Sequence, residues 1–222
     1  MGAKDCLICY ADNDVPSVLA ARPALDRAAT EALVRRLFAD HTVTPEDGGT
    51  LGENANPPDG RVFAAVWPGA GLVCTSAVAL DRPSLLDHRF LAAGAGRTVH
   101  VHAMHSVVDW TAFATWGPDG GLRRALSVSG ADGEILEDLG DRLPFEEPFW
   151  AGAFPAVEDE DDDYPFPFHP LELGEAALHH LFGFVLEGFS PMTAGESVDP
   201  FDVTLAGFRV TPGRRRRLFR RR

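Results

Sequence analysis

The sequence has few cysteines and no long apolar run. Three cysteines, Cys6, Cys9 and Cys74, are a small and odd number for a chain of 222 residues, which argues against a disulfide framework and favours a reducing compartment. No stretch approaches the roughly 18 apolar residues of a membrane-spanning helix, and the chain does not open on a cationic segment followed by an apolar one. We therefore expect a soluble cytoplasmic protein without a membrane span.

The sequence also lacks the common glycine-rich motifs of enzymes. It has no Gly-X-Ser-X-Gly nucleophile elbow and no phosphate-binding loop ending in Gly-Lys-Ser or Gly-Lys-Thr. Gly94 and Gly96 are separated by one residue, but the third glycine of a dinucleotide-binding fingerprint does not follow. The sequence therefore predicts no cofactor, apart from the transition metal considered below.

Charge is distributed unevenly along the chain. The 33 acidic residues outnumber the 20 basic ones, which gives a net charge of −13, and seven arginines lie within residues 214–222, so the rest of the chain carries −20. A body this negative repels nucleic acid and anionic surfaces, so we expect either partner to bind only through the C-terminal arginine tail. The tail has only Leu218 and Phe219 as apolar residues and is predicted to be disordered. Six consecutive acids at 158–163 predict a solvated loop near 157–164.

Apolar periodicity predicts a single α+β domain over residues 1–210, followed by the tail at 211–222. Caps and helical spacing predict helices at 26–40, 84–93 and 170–188. Residues 45–60 are rich in Gly, Pro and Asn and predict a long loop. Strand-forming runs bounded by turn residues predict strands at 5–11, 61–67, 72–76, 98–104, 108–116, 122–129, 134–138 and 203–210. We expect a central, largely antiparallel (mixed) sheet flanked by about three helices.

Four segments of the chain resemble a known family. They are residues 1–11 with the run Asp-Cys-Leu-Ile-Cys-Tyr, residues 98–110, residues 168–177 and residues 205–210. Together they resemble a family of actinobacterial proteins catalogued as a domain of unknown function. The resemblance covers residues 1–210 and leaves the arginine tail outside. It implies a bacterial cytosolic origin and a single full-length domain, and it carries over no catalytic or binding residue.

The histidines near residue 100 are the strongest candidates for chemistry. His100 and His102 are two residues apart on a predicted strand, so their imidazoles lie side by side on one face. This arrangement suits a transition metal, with a third ligand from His105, from Asp109 or from a distant carboxylate. A His-X-His pair alone lacks the spacing of a specific zinc motif, and hydrogen bonding to neighbours or acid–base chemistry are the other uses of such residues.

Two further patterns have simpler structural readings. Cys6 and Cys9 have the spacing of a redox dithiol, but residues three apart on a strand face opposite sides, so we expect them to serve as small buried apolar residues. Glu175 and His179 are four apart on the last predicted helix, with His180 next to them, which indicates a modest surface pair.

Aromatic residues are concentrated between residues 110 and 150. They either form an exposed surface for a protein partner or fill the core, and burial preference favours the core. The six residues are Trp110, Phe113, Trp116, Phe145, Phe149 and Trp150.

The sequence therefore favours a non-catalytic binding or accessory protein of the bacterial cytoplasm over an enzyme. The alternative is a metal-dependent, hydrolase-like enzyme centred on His100 and His102. Imidazoles that converge with a third ligand at the floor of a cleft favour the enzyme, whereas imidazoles capped by their neighbours favour the binding protein.

Overall fold

A computed structural model describes residues 4–12, 14–156, 164–187 and 197–213. Nine strands in this part of the chain form one sheet, and every neighbouring pair is antiparallel. In chain order the strands are β1 (Lys4–Ala11), β2 (His41–Thr50), β3 (Arg61–Trp67), β4 (Ala70–Cys74), β5 (Thr98–His105), β6 (Trp110–Trp116), β7 (Leu122–Ser129), β8 (Glu134–Gly140) and β9 (Thr204–Pro212). Across the sheet the order is β2-β9-β3-β4-β1-β5-β6-β7-β8. The first strand therefore lies at the centre and the last strand lies next to one edge.

Helices cover both faces of the sheet, and most of them are short. The α-helices of the described ranges are α1 (Val15–Ala20), α2 (Arg27–Leu37), α3 (Leu51–Asn54), α4 (His88–Ala93), α5 (Glu147–Trp150) and α6 (Pro170–Phe182). Residues of α1, α3, α5 and α6 belong to the hydrophobic core on one face, which we call the α6 face. Residues of α2 and α4 belong to the core on the other, the α2 face. No helix among the described residues has the length and apolar character needed to cross a membrane.

The predicted fold class is wrong. We expected an α+β domain in which about three helices flank a mixed sheet, but the described residues form mostly one extensive, wholly antiparallel sheet with few helices. Antiparallel strands can be joined by turns of a few residues, so a chain of short strands builds a wide sheet without the helical crossovers that parallel strands need. Among the α-helices of the described residues, only α2 and α6 are longer than six residues.

The central strand β1 explains why both faces need a core. Leu7 and Cys9 contribute to the core of the α6 face, whereas Cys6, Ile8 and Tyr10 contribute to that of the α2 face. All five side chains are buried. A strand covered on both sides reads as a continuous apolar run rather than as an alternation, which is the pattern of this segment.

The edge strand β2 takes up residues 45–50 of the predicted loop at 45–60. It pairs with β9 and has a bulge between Glu46 and Gly49. Pro45 is tolerated because a strand at the edge of a sheet does not need every N–H for pairing. Glu46 also binds Arg61 at 3.4 Å and Arg209 at 2.5 Å. A polar, bulged edge strand lacks the apolar alternation by which strands are recognised, so the sequence pattern resembled a loop.

Capping residues set the ends of the predicted helices. Asp26 caps α2 as predicted, with its carboxylate accepting from Ala29 N. Pro170 begins α6 as predicted, but the helix ends before 188 because Gly183 is left-handed, with φ of 83°. The helix predicted at 84–93 is reduced to α4, which Asp87 caps. The predicted acidic run at 158–163 and the arginines of 214–222 lie outside the described residues.

Candidate functional site

His102 is the centre of a buried polar contact between β1, β5 and α6. Its ring is fully buried. Nδ1 lies 2.8 Å from Asp5 Oδ1, and Nε2 lies 3.0 Å from the carbonyl oxygen of Gly174. A carbonyl only accepts, so Nε2 donates its hydrogen to Gly174, while Nδ1 faces the Asp5 carboxyl group. Both ring nitrogens are therefore engaged, Nδ1 in joining β5 to β1 and Nε2 in joining the sheet to α6.

The helix reaches His102 because residue 174 is a glycine. A Cβ at this position would lie 2.7 Å from Thr111 Oγ1 and 2.8 Å from Met104 Sδ, closer than real side chains approach. The missing side chain lets α6 lie directly on β5 and β6, and this contact brings the Gly174 carbonyl to the imidazole.

His100 lies on the same face as His102, as the two-residue spacing predicts. Both imidazoles pack against Phe182, with ring centroids 6.3 Å away in each case. Their surroundings differ, however. His100 Nδ1 lies 3.0 Å from Thr115 Oγ1, and the ring borders a cleft of about 280 Å³ that His180 also lines.

The cleft beside His100 is lined by neutral imidazoles and by carboxylates that already have partners. Burial, followed by the proximity of His180, lowers the pKa of His100 to about 4, and burial also lowers the pKa of His180. Asp12 accepts two hydrogen bonds of 2.8 Å from Arg97. Asp14 caps α1 by accepting from its first turn. At neutral pH the two uncharged imidazoles therefore offer lone pairs but no charge.

The neutral state of His100 predicts that the protein loses stability as the pH falls. An unfolded imidazole titrates near 6.5, whereas the fold lowers the pKa of His100 to about 4. The unfolded state therefore binds the proton first, so this contribution is complete above about pH 6.5 and is lost as the pH falls toward about 4. Urea unfolding of the wild type should give a free energy about 2 kcal/mol lower at about pH 5 than at about pH 7.5 from this group alone. In His100→Asn the difference in the free energy of unfolding between the two pH values should be smaller by that amount. An unchanged difference would contradict the low pKa of His100.

The carboxyl group of Glu175 titrates in the opposite sense. Its contribution to the pH dependence of stability is the same in the wild type and in His100→Asn. Its buried carboxylate accepts hydrogen bonds of 2.8 Å from the backbone of Leu186 and of Glu187. Burial outweighs these bonds and raises its pKa to about 7. The stability it contributes is complete below about pH 4.5 and is lost as the pH rises through about 7. Glu175 thus fixes the chain that follows α6 instead of forming the predicted surface pair with His179.

The other predicted metal ligands lie in separate local contacts. His105 Nδ1 accepts from the N–H of Val107 at 3.3 Å. Asp109 has a left-handed backbone, with φ of 44°, and its Oδ1 lies 3.9 Å from His169 Nε2. Within the described ranges no group of three or more His, Cys, Asp and Glu side chains is placed to hold a metal ion. A metal site at His100 and His102 remains a prediction.

The three cysteines are free and buried. Cys6 and Cys9 belong to the cores of opposite faces of the sheet, so the structure does not bring the two together. Burial raises the pKa of Cys9 to about 12 and those of Cys6 and Cys74 well above the ordinary value. Because the thiolate is the reactive form, these thiols are suited to packing rather than to redox chemistry.

The sequence patterns did not predict a buried ion cluster around Arg124. Its guanidinium is fully buried and binds Glu146 through Nε at 2.9 Å and through Nη2 at 2.6 Å, while Nη1 binds Asp138. Burial lowers the pKa of Arg124, but the bonds to both carboxylates outweigh it and leave that pKa raised. Glu146 also accepts from Leu143 N at 2.8 Å. The cluster ties the segment after β8 to β7, and its polar groups are engaged in structure.

Most of the six aromatic residues between 110 and 150 lie in the core, as their burial preference predicts. Phe113, Trp116, Phe145 and Phe149 are buried. Trp110 and Trp150 are partly buried against the two cores. These residues therefore fill the interior and leave no continuous aromatic surface among the described residues.

A second cleft of about 300 Å³ lies where α1 ends, at the opposite end of α1 from the His100 cleft. We call it the Leu19/Trp67 cleft, after two buried residues that form its floor together with Val203. The charged residues of its lining are Arg22, Arg27 and Asp202, and we call them the rim of the cleft. An apolar floor with a few polar groups at the rim is the usual composition of a small-molecule site, and the volume is at the lower limit for such sites.

The rim of this cleft contains a strained residue. Arg22 is left-handed, with φ of 47°, a conformation that is rare outside glycine and that is frequent at functional sites. Its guanidinium Nη2 lies 2.8 Å from Asp202 Oδ2, and both side chains are well exposed. The ion pair is therefore weak and can be exchanged for another partner.

Comparison with known proteins places the chain in a family. A family model described as a family of unknown function, DUF6928, matches residues 5–208. No curated protein and no solved structure gives a match. The matched residues run from the central strand β1 into β9 and include both clefts. The chain belongs to the DUF6928 family, whose function is unknown.

Proposed function

We propose that the protein is a non-catalytic binding protein and that its ligand occupies the Leu19/Trp67 cleft. The observation that carries this proposal is the composition of the cleft. Its floor is formed by buried apolar side chains, while charged groups lie only at the rim, so a ligand gains from desolvation on one side and from polar contacts on the other.

The buried polar residues support binding rather than catalysis. Both nitrogens of His102 are engaged, and the Arg124 guanidinium is saturated by two carboxylates. General acid–base or metal chemistry needs a group with a free position directed at a substrate. The metal-dependent enzyme at His100 and His102 remains the alternative, and capture of one ring nitrogen of His102 by a metal would first break the buried hydrogen bond that this nitrogen makes.

Binding of octan-1-ol, an uncharged probe with an apolar chain, tests the proposal. Burying a chain of this length gives a dissociation constant on the order of 1 mM once the entropy of association is subtracted. Methyl NMR should show shifts at Leu19, Leu25 and Val203, which line the cleft. Leu25→Gln should weaken binding about tenfold, because a polar group then enters the apolar site.

Leu85→Gln is the matched control for that variant. Leu85 is 71% exposed and does not line the cleft, so the same chemical change should leave octanol binding unaltered. Shifts spread over the whole protein, or equal effects of the two variants, would contradict a specific site.

The proposal also covers the compartment, the partners and the arginine tail of the protein. The free, buried cysteines support a reducing compartment such as the cytoplasm, and a bacterial, actinobacterial origin remains a prediction. A protein partner is compatible with an accessory role. The arginines of 214–222 are proposed as the only part of the chain that binds nucleic acid or an anionic surface, because the remaining net charge of −20 opposes both.

A further inference from the structure

We infer that the ligand of the Leu19/Trp67 cleft is a small amphipathic carboxylate, with its apolar chain on the floor and its anionic group between Arg22 and Arg27. This inference rests on the proposed function and specifies its ligand. It is carried by the charge of the rim, by the position of Arg27 and by the exchangeable pair of Arg22 with Asp202.

The rim is cationic in a protein that is otherwise strongly acidic. Outside the arginine tail the chain has 33 acidic residues and only 13 basic ones, the 20 less the seven of the tail. Two of those 13 line the cleft against one carboxylate, so the lining carries +1 where the average composition would give a negative charge. The cleft is thus a local site for an anion on a surface that otherwise repels anions.

Arg27 supplies the second cation of the rim. It is the first residue of α2, a helix of 11 residues, and the Asp26 carboxylate already caps this helix end by accepting from the Ala29 N–H. An anion bound beside Arg27 is therefore stabilised chiefly by the guanidinium.

Asp202 forms an ion pair with Arg22 in the absence of such an anion. The pair is exposed, at 75% for the Arg22 side chain and 46% for the Asp202 side chain, so it costs little to exchange. A ligand carboxylate can form the same hydrogen bonds to Arg22 while its chain covers the apolar floor, which Asp202 does not do. Asp202 is therefore a competitor of the ligand and sets how readily it binds.

Three probes with the same chain and different head groups test the inference. Octanoate should bind about tenfold more tightly than octan-1-ol at low ionic strength, and octylammonium should bind more weakly than octan-1-ol. Added salt should reduce the advantage of octanoate without affecting octan-1-ol. Octylammonium binding as tightly as octanoate would overturn the inference.

Variants of the rim locate the anionic group. Arg27→Ala and Arg22→Asn should each weaken octanoate binding about threefold to tenfold and weaken octan-1-ol binding by less, because the alcohol carries no charge; Asn is chosen because it tolerates a left-handed backbone. Asp202→Asn should tighten octanoate about threefold, since the competitor is removed. Arg35→Ala, on the same helix, is the matched control, because Arg35 pairs with Glu31 outside the cleft.

Different results contradict the ligand class and the binding function. If octan-1-ol binds in the cleft but octanoate binds no better, or is indifferent to Arg22, Arg27 and Asp202, the ligand class is wrong and the binding function stands. If octan-1-ol leaves the cleft methyl groups unshifted, the binding function is wrong. A circular dichroism spectrum and a melting temperature close to those of the wild type show that each rim variant is folded.

Discussion

Replacing Arg124 by alanine is expected to lower the free energy of unfolding by about 3–5 kcal/mol, a large part of the stability of a typical domain. The substitution leaves the Glu146 carboxylate fully buried without its cation and opens a cavity where the guanidinium lay. Chemical denaturation monitored by tryptophan fluorescence measures the change. A loss below about 1 kcal/mol would show that Glu146 is solvated after all.

Arg123 provides a matched control on the adjacent residue. It pairs with Asp119 at 2.6 Å, but the two side chains are 55% and 61% exposed. Arg123→Ala should therefore cost at most about 1 kcal/mol. A double variant, Arg124→Met with Glu146→Leu, should recover most of the stability lost in Arg124→Ala, because it removes both buried charges and refills the space.

Deleting residues 214–222 is expected to abolish binding to DNA, RNA or anionic vesicles while leaving the melting temperature nearly unchanged. The deletion removes seven positive charges and leaves a chain with a net charge of −20. Affinity that depends on this number of phosphate contacts falls about 10³- to 10⁵-fold between about 50 and about 200 mM salt. The deletion begins after Gly213, so β9 and its pairing with β2 and β3 are retained.

Replacing all seven tail arginines by lysine separates charge from sequence. Charge is conserved, so binding measured by fluorescence anisotropy should largely persist, whereas replacement by glutamine should eliminate it. Nucleic-acid binding that survives the deletion at physiological salt would place the cationic surface elsewhere in the protein.

Local sequence patterns were sufficient for the strands from β5 to β8. Each of these strands is joined to the next by a tight turn, and β7 occupies residues 122–129 as predicted. The turn between β6 and β7 follows from its glycines, with Gly120 N donating to the Gly117 carbonyl at 2.8 Å. Turn chemistry and alternation act over a few residues, so both can be read from one sequence.

The polar contacts could not be predicted in the same way because their partners are distant in sequence. His102 and Asp5 are 97 residues apart, and Arg124 and Glu146 are 22 apart. The sequence correctly placed His100 and His102 on one face, but the partners of each ring depend on which strands are neighbours. The Leu19/Trp67 cleft likewise combines residues from α1, β3 and β9, and β2 was missed altogether.

The position of β9 beside β3 has a kinetic consequence for the chain. β9 is the last strand in sequence, yet it joins β2 to the rest of the sheet, so β2 must wait about 160 residues for its partner. The strands β3 to β8 are therefore synthesised before β2 can join the sheet. Until then β2 and β3 each present an unpaired edge, and closing such long loops makes folding slow and exposes the nascent chain to aggregation.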